Sequence, residues 1–445
     1  MEKKINWNNI LLYGIFLVFI LFSIYLVFNI KLGISPDSSY HLEVSKAYSK
    51  TLFRPDNAPD TYQWRDITRI SYLFFWINGR ILNINNGVIN EVILLRILNV
   101  IYSIGTVIVT YLLSKEIFKN KWIRLLPIFL LTNTLMFVFL SSSINYDNLA
   151  NLLSVLSILF FVKFVKSKID IKYLLLMILF LCFGALTKFT VLPLAFILVI
   201  LCVVDIFRKK ELLNKIKMGK EYLLLLPILF FGFLNLELYG KNIIQYGGLE
   251  PDCNKILTHE QCLLNGVYYR DNVTFQSTKI DGVKGYISLI TSGERVDPFR
   301  YFLKWLPNLT MKIYGIFADN SLFMPEPFWY IFILFFLIAT ILAVINFKKW
   351  DSIDKYLIVI FLFYIAVLFL FQNYSMYLRF NHYYLALQGR YIFPVISIMY
   401  ILFSKSLFSI EKKWLRDSIL VIYLLLLTYS CIPFFLLNVP SWWMK

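Results

Sequence analysis

The sequence predicts an all-α polytopic membrane protein, a bundle of about eleven transmembrane helices, and three observations carry that reading. Apolar runs of ~20 residues recur along the whole chain, each long enough to cross ~30 Å of hydrocarbon at 1.5 Å per residue. Hydrophobic residues make up 59% of the chain and aromatic residues 18%, with a mean hydropathy of +0.67, far from the balance of a soluble domain. Every second connection between the runs is short and rich in lysine, the pattern of cytoplasmic loops.

Taken in order, the spans fall at 10–30, 91–114, 125–142, 149–165, 173–188, 190–207, 222–239, 328–347, 356–372, 391–408 and 418–437. The basic connections are Lys115 to Arg124, Lys163 to Lys172, Arg208 to Lys220, Lys348 to Lys355 and Lys405 to Arg416. They place the N-terminus inside and the C-terminus outside the plasma (inner) membrane. The first run follows Met-Glu-Lys-Lys and has no small-residue cleavage site after it, so it reads as an uncleaved anchor. A net charge of +17 suits orientation in the membrane and attraction to anionic lipid, and calls for no nucleic-acid partner.

The whole chain, 1–445, reads as one transmembrane domain interrupted by two long exterior loops, 31–90 and 241–326. Each contains an amphipathic stretch suited to the bilayer interface. In the first it is Ile70 to Ile84; in the second it is Pro298 to Ala318, where Arg300, Lys304 and Lys312 alternate with Phe299, Phe302, Trp305, Leu306 and Ile313. Of five cysteines, Cys253 and Cys262 share one polar exterior stretch, which predicts a disulfide between them.

Two carboxylates stand at the same expected face. Asp37 follows the first span in Ser35-Pro36-Asp37-Ser38-Ser39-Tyr40-His41, and Asp147 occupies the short turn Asn145-Tyr146-Asp147. A carboxylate at the hydrocarbon boundary is costly to desolvate, so it is kept where it pairs, binds or takes a proton. The plainer reading is helix capping by each. His41 lies four residues after Asp37, on the same face of a helix, where it would orient Asp37 or meet substrate. Lys188 and Arg390 end and open spans on that same face, where an ammonium and a guanidinium would hold a lipid phosphate, or simply anchor the helix ends. Arg96 and Glu237 fall in or near hydrocarbon and require partners, such as structural ion pairs. The sequence contains no phosphate-cradling glycine loop, no HExxH and no clustered Cys/His ligand set.

These patches resemble the GT-C glycosyltransferase superfamily, and more narrowly a bacterial and archaeal membrane family within it. Pro36-Asp37-Ser38-Ser39-Tyr40-His41 is similar to its Pro-Asp-Glu-x-x-His, Asn145-Tyr146-Asp147 to its Asn-Tyr-Asp turn, and Lys188 to the Lys after its fifth span. Tyr314-Gly315-Ile316-Phe317-Ala318-Asp319 resembles the stretch that ends its large loop, and Gly389 to Pro394 its Gly-Arg-Tyr-x-x-Pro. Ser38 departs from the family's acidic residue, which removes one ligand from any divalent-metal site beside Asp37; Ala318 departs from its second Gly.

The resemblance implies an inverting transferase that moves a sugar from a polyprenyl-phosphate donor to a glycan, lipid or protein acceptor at the extracytoplasmic face. Asp37, with Asp147, would deprotonate the acceptor, while Lys188 and Arg390 would hold the departing phosphate. A lipid-linked glycan transporter or flippase, and a polysaccharide polymerase or ligase, are the alternatives that the sequence leaves open.

Overall fold

The computed structural model describes residues 6–167, 170–209, 219–275, 278, 280, 282–318 and 320–445. Parts of two expected inner connections, 168–169 and 210–218, lie outside the described residues, as does Asp319.

The chain runs as α1 (Trp7–Asn29), α2 (Ser38–Ser49), α3 (Leu73–Asn85), α4 (Glu91–Ile117), α5 (Leu125–Thr132), α6 (Leu135–Ser141), α7 (Tyr146–Lys166) and α8 (Ile171–Thr187). It continues as α9 (Phe189–Arg208), α10 (Lys220–Tyr246), α11 (Pro298–Tyr314), α12 (Glu326–Lys349), α13 (Ser352–Phe380), α14 (Gly389–Leu407) and α15 (Lys413–Asn438), with short helical turns in the second loop. Among the described residues, nine of these helices are long and apolar enough to cross a membrane; α8 is a shorter apolar helix. The expected span at 125–142 is instead two short helices, α5 and α6, buried almost throughout. The break at Asn133–Thr134 is tolerable because side chains satisfy the freed backbone: Asn133 Nδ2 donates to Phe129 O at 2.9 Å and Thr134 Oγ1 to Leu130 O at 2.8 Å.

Two spans form the centre. Most of α7 and α14 is buried inside the protein, whereas α10 and α12 turn most of their surface outward, as lipid-facing helices do. α7 packs on α4, α8 and the first turn of α14, so the N-terminal ends of the two buried spans meet. The amphipathic stretches form helices as expected. α3 lies against α2, where Gly79 leaves no room for a side chain: a Cβ there would stand 2.8 Å from the Tyr48 backbone. α11 buries Tyr301, Trp305, Leu309 and Ile313 on one face.

In lipid, apolar contact between helices gains little from the hydrophobic effect, so polar ties weigh more. Arg96 is one. It is fully buried in α4 and donates to the carbonyls of Val27, Ile30 and Lys31 at 2.9, 2.7 and 3.2 Å, so it caps the end of α1 with no carboxylate partner among the described residues. Beside it the chain closes on itself: Ile30 pairs antiparallel with Met444, Lys31 N donates to Trp443 O at 2.9 Å, and Lys445 N to Asn29 O at 2.7 Å. Glu237 does sit in an ion network, with Arg54, Arg69 and Lys241, and thereby ties the first loop to the second. Tyr239 and Asn242 add hydrogen bonds to Ser71 and to Arg69 O.

Arg96→Met is expected to strand those carbonyls at the end of α1 and to cost about 1–3 kcal/mol. Thermal unfolding in detergent should show a lower midpoint, and an unchanged midpoint would contradict the capping role.

Candidate functional site

The site is assembled where α7 and α14 begin. Asn145 caps α7 by accepting from Asp147 N at 2.9 Å, and its own amide donates to Pro36 O at 3.0 Å, which draws the turn before α2 onto the turn before α7. Asn99 in α4 holds the arrangement from below, accepting from Asn145 N and from Asn148 Nδ2 at 3.2 and 2.9 Å. The turn Asn145-Tyr146-Asp147 is thus positioned by buried amides, and the same amides fix the height of Asp37.

Four charged groups converge there. Lys188, at the junction of α8 and α9, pairs with Asp147 Oδ1. Arg390, in the first turn of α14, reaches Asp37 Oδ2 at 2.5 Å through one guanidinium nitrogen and lies 3.6 Å from Asp147 Oδ2 through Nε. Gly389 permits this, since a Cβ at that position would stand 2.1 Å from Lys312 O. Lys188 also lies over the rings of Tyr146 and Tyr391, 4.7 and 4.9 Å from their centroids. Asp147, Lys188 and Arg390 are each at most 5% exposed at the side chain, whereas the Asp37 side chain is 48% exposed. Asp147 is therefore enclosed between two cations, and Asp37 is the carboxylate that faces the opening.

Asp37 occupies the residue before α2, but its side chain makes no capping hydrogen bond and its φ of 54° is left-handed. Asp tolerates that conformation better than most residues, yet it is strained, and here it aims the carboxylate at Arg390 rather than at the helix. Crowding by protein alone would raise the Asp37 acid. The charge of Arg390, its hydrogen bond and the charge of Lys188 outweigh it and hold the group below the usual carboxylate range.

His41 is fully buried, packed among Tyr40, Phe74, Phe75 and Tyr146, with neither ring nitrogen hydrogen-bonded among the described residues. Burial pushes it down to about 3, so it is neutral at working pH, and it does not reach Asp37 with a hydrogen bond.

Glu250, in the second loop, was not singled out by the sequence. It is exposed to solvent yet crowded by protein, which raises its acid to about 7 against the pull of Arg65 and Lys188. A lone glutamate in a polar loop carries no sequence signal; only the placement of its neighbour Leu249, whose carbonyl accepts from Asn242 Nδ2 at 2.8 Å, brings it within reach of the Lys188 charge. Leu249 lines a groove of 420 Å³ between α9 and α13, together with Phe189, Phe196, Phe363, Leu368 and Tyr391. Two of its lining residues, Phe189 and Tyr391, adjoin Lys188 and Arg390 in the chain. Cys253 and Cys262 are joined in a disulfide a few residues beyond Glu250, over a small core with Leu257 and Tyr268. Among the described residues, no group of three or more His, Cys, Asp or Glu side chains stands close enough together to hold a metal ion.

A family model described as "Predicted membrane protein (DUF2142)" matches residues 37–288, more than half of the chain. The chain belongs to that family. The match begins at Asp37 and takes in His41, Asp147, Lys188 and Glu250; in this DUF2142 protein Arg390 lies beyond it. No curated protein matches the chain. Among solved structures, the Archaeoglobus fulgidus oligosaccharyltransferase in complex with Zn and sulfate aligns with a TM-score of 0.52 at 14% identity, over 95% of this chain and 52% of that one. This likeness shows the fold, the GT-C helical bundle. The Archaeoglobus fulgidus oligosaccharyltransferase AglB, in complex with an inhibitory peptide and a dolichol-phosphate, aligns with a TM-score of 0.49 at 15% identity, over 98% and 56%. ArnT from Cupriavidus metallidurans bound to undecaprenyl phosphate aligns with 0.41 at 10% identity, over 88% and 77%. The chain spans about half the length of the oligosaccharyltransferase chains it matches.

Asp147→Asn should leave Lys188 and Arg390 buried without their shared counter-charge, a loss of about 3–5 kcal/mol. Asp37→Asn, at the open edge, should cost clearly less. Comparing the two unfolding midpoints tests this, and equal losses would contradict the division. With its pKa held below the ordinary value, ionised Asp37 contributes stability above the unfolded pKa and loses it as pH falls through the folded one. No Asp37-dependent change in the midpoint is expected between about pH 5 and 8.

Proposed function

We propose that this protein is a glycosyltransferase that uses a polyprenyl-phosphate sugar as donor, acts at the extracytoplasmic face and inverts the anomeric centre. The reading is carried by one juxtaposition: an accessible carboxylate, Asp37, beside two buried cations, Lys188 and Arg390, whose chain neighbours Phe189 and Tyr391 line an apolar groove. The GT-C fold supports it, since the fold-matching neighbour is an oligosaccharyltransferase.

Each part has a physical role. The groove between α9 and α13 takes the polyprenyl tail from the bilayer, because its walls are apolar and its lining includes Phe189 and Tyr391, the chain neighbours of the two cations. Lys188 and Arg390 hold the phosphate and stabilise the charge that grows on it as the sugar leaves. The acceptor oxygen forms a bond to the anomeric carbon as the bond from that carbon to the phosphate oxygen breaks. The electron pair departs with the phosphate, and the acceptor proton passes to Asp37. Asp147 keeps both cations charged and in place. Glu250, within reach of the Lys188 charge and titrating near neutrality, hydrogen-bonds the acceptor in one protonation state. The acceptor itself is a glycan, lipid or protein.

The test is a reconstituted assay with a panel of radiolabelled polyprenyl-phosphate sugars. Wild type should consume one donor, and Asp37→Asn should lose roughly 10²–10⁴-fold in rate while retaining its fold. Full activity in the folded variant, no donor consumed, or translocation of glycan in sealed vesicles without a new glycosidic bond would each overturn the proposal. The pH-rate profile should inflect near the Glu250 value of about 7, and Glu250→Gln should remove that inflection; a profile unchanged by the substitution would exclude Glu250 from acceptor binding.

A further inference from the structure

A second and larger cavity lies behind the strap that leads into Arg390. It has a volume of 830 Å³ and is floored by one face of α11, where Leu303, Lys304, Pro307, Asn308 and Met311 recur at helical spacing opposite the face packed into the bundle. Its walls come from three other places. Trp329 and Tyr330 belong to the first turns of α12, a membrane-spanning helix, and Arg270 comes from the second loop. His382 and Gln388 belong to the strap between α13 and α14.

The cavity's position and charge point to its ligand. The mouth is level with the end of a transmembrane helix and is edged by tryptophan and tyrosine, the side chains that settle at headgroup depth. Among the described residues, four cationic or titratable nitrogen side chains line it, Arg270, Lys304, Lys312 and His382, of which Arg270 also pairs with Asp271 at 2.6 Å, against a single lining carboxylate, Glu326, which already accepts from Tyr330 Oη at 3.2 Å. Two polar atoms of the strap, His382 Nδ1 and Gln388 Oε1, are buried there without a hydrogen-bond partner among the described residues. Apart from Asn308 and Tyr384 the remainder of the lining is apolar, which an acyl chain or glycerol backbone tolerates and a free inorganic anion does not need.

We propose that this cavity binds the phosphate headgroup of an anionic membrane lipid, at a site separate from the groove between α9 and α13. Lys304 and Arg270 meet the phosphate at the mouth, and Lys312 contributes positive potential from within; it is buried, donates to Leu387 O at 2.7 Å and lies 3.7 Å from the Phe317 ring centroid. Because Gln388 lines the cavity and Arg390 lies two residues on, a bound headgroup touches the segment that presents Arg390 to Asp37.

The experiment is native mass spectrometry of the full chain released from detergent, titrated with phosphatidylglycerol or with phosphatidylcholine. Phosphatidylglycerol should be retained preferentially, and Lys304→Gln with Arg270→Gln should weaken its retention by about tenfold or more, as expected for loss of charge-assisted hydrogen bonds. Lys349→Gln, an exposed charge on another part of the chain, should leave retention unchanged. Equal retention of the two lipids, or wild-type retention in the double variant, would overturn the proposal. So would displacement of the lipid by millimolar inorganic phosphate, because the site would then take the anion without its lipid. Donor consumption is not the readout, so this result stands or falls independently of the transferase reading.

Discussion

The structure depends on a buried carboxylate shared by two cations. Asp147, Lys188 and Arg390 come from α7, the α8–α9 junction and α14, and none of them is tolerable at that depth alone. Their mutual attraction requires the two central spans to begin at the same level, and the amide scaffold of Asn99, Asn145 and Asn148 sets that level. The more exposed members of the bundle, α10 and α12, can be arranged around this pair with apolar surface that lipid accepts. The charged cluster therefore acts as a structural register as well as a candidate chemical centre.

Asp37 stands differently. It completes the charge balance of the cluster, two carboxylates to two cations, but from the open side and at the cost of a left-handed backbone. An incoming phosphate would compete with it for Arg390, and the carboxylate so released would stand beside whatever group the phosphate carries. A strained residue whose partner can be exchanged is a different element from Asp147, whose partners cannot leave without exposing buried charge.

How far the sequence revealed this varies with the physics of each feature. Spans are legible because their signal is local: ~20 apolar residues in a row need no knowledge of neighbours. The meeting of Asp37, Asp147, Lys188 and Arg390 was accessible through topology, since residues at span ends on one face share a plane, although their pairings were not. The division of the 125–142 run into α5 and α6 was hidden, because apolar runs look alike whether they cross lipid or fill the interior of a bundle. Arg96 was recognised as needing a partner, but backbone carbonyls carry no sequence signature, so its capping of α1 could not be read. His41 shared a helical face with Asp37 and still turned into an aromatic cage, and Glu250 came within reach of the Lys188 charge through a loop path that no periodicity encodes.

The clasp between Ile30 and Met444 has a consequence for the order in which the molecule is made. The end of α1 leads directly into the turn bearing Asp37, and that end is held by Arg96 together with backbone from residues 443 and 445. During translation the first span emerges long before those residues exist, so the Asp37 turn stays unfastened until synthesis has passed them. A nascent or truncated chain would expose its bundle to the bilayer without a finished centre.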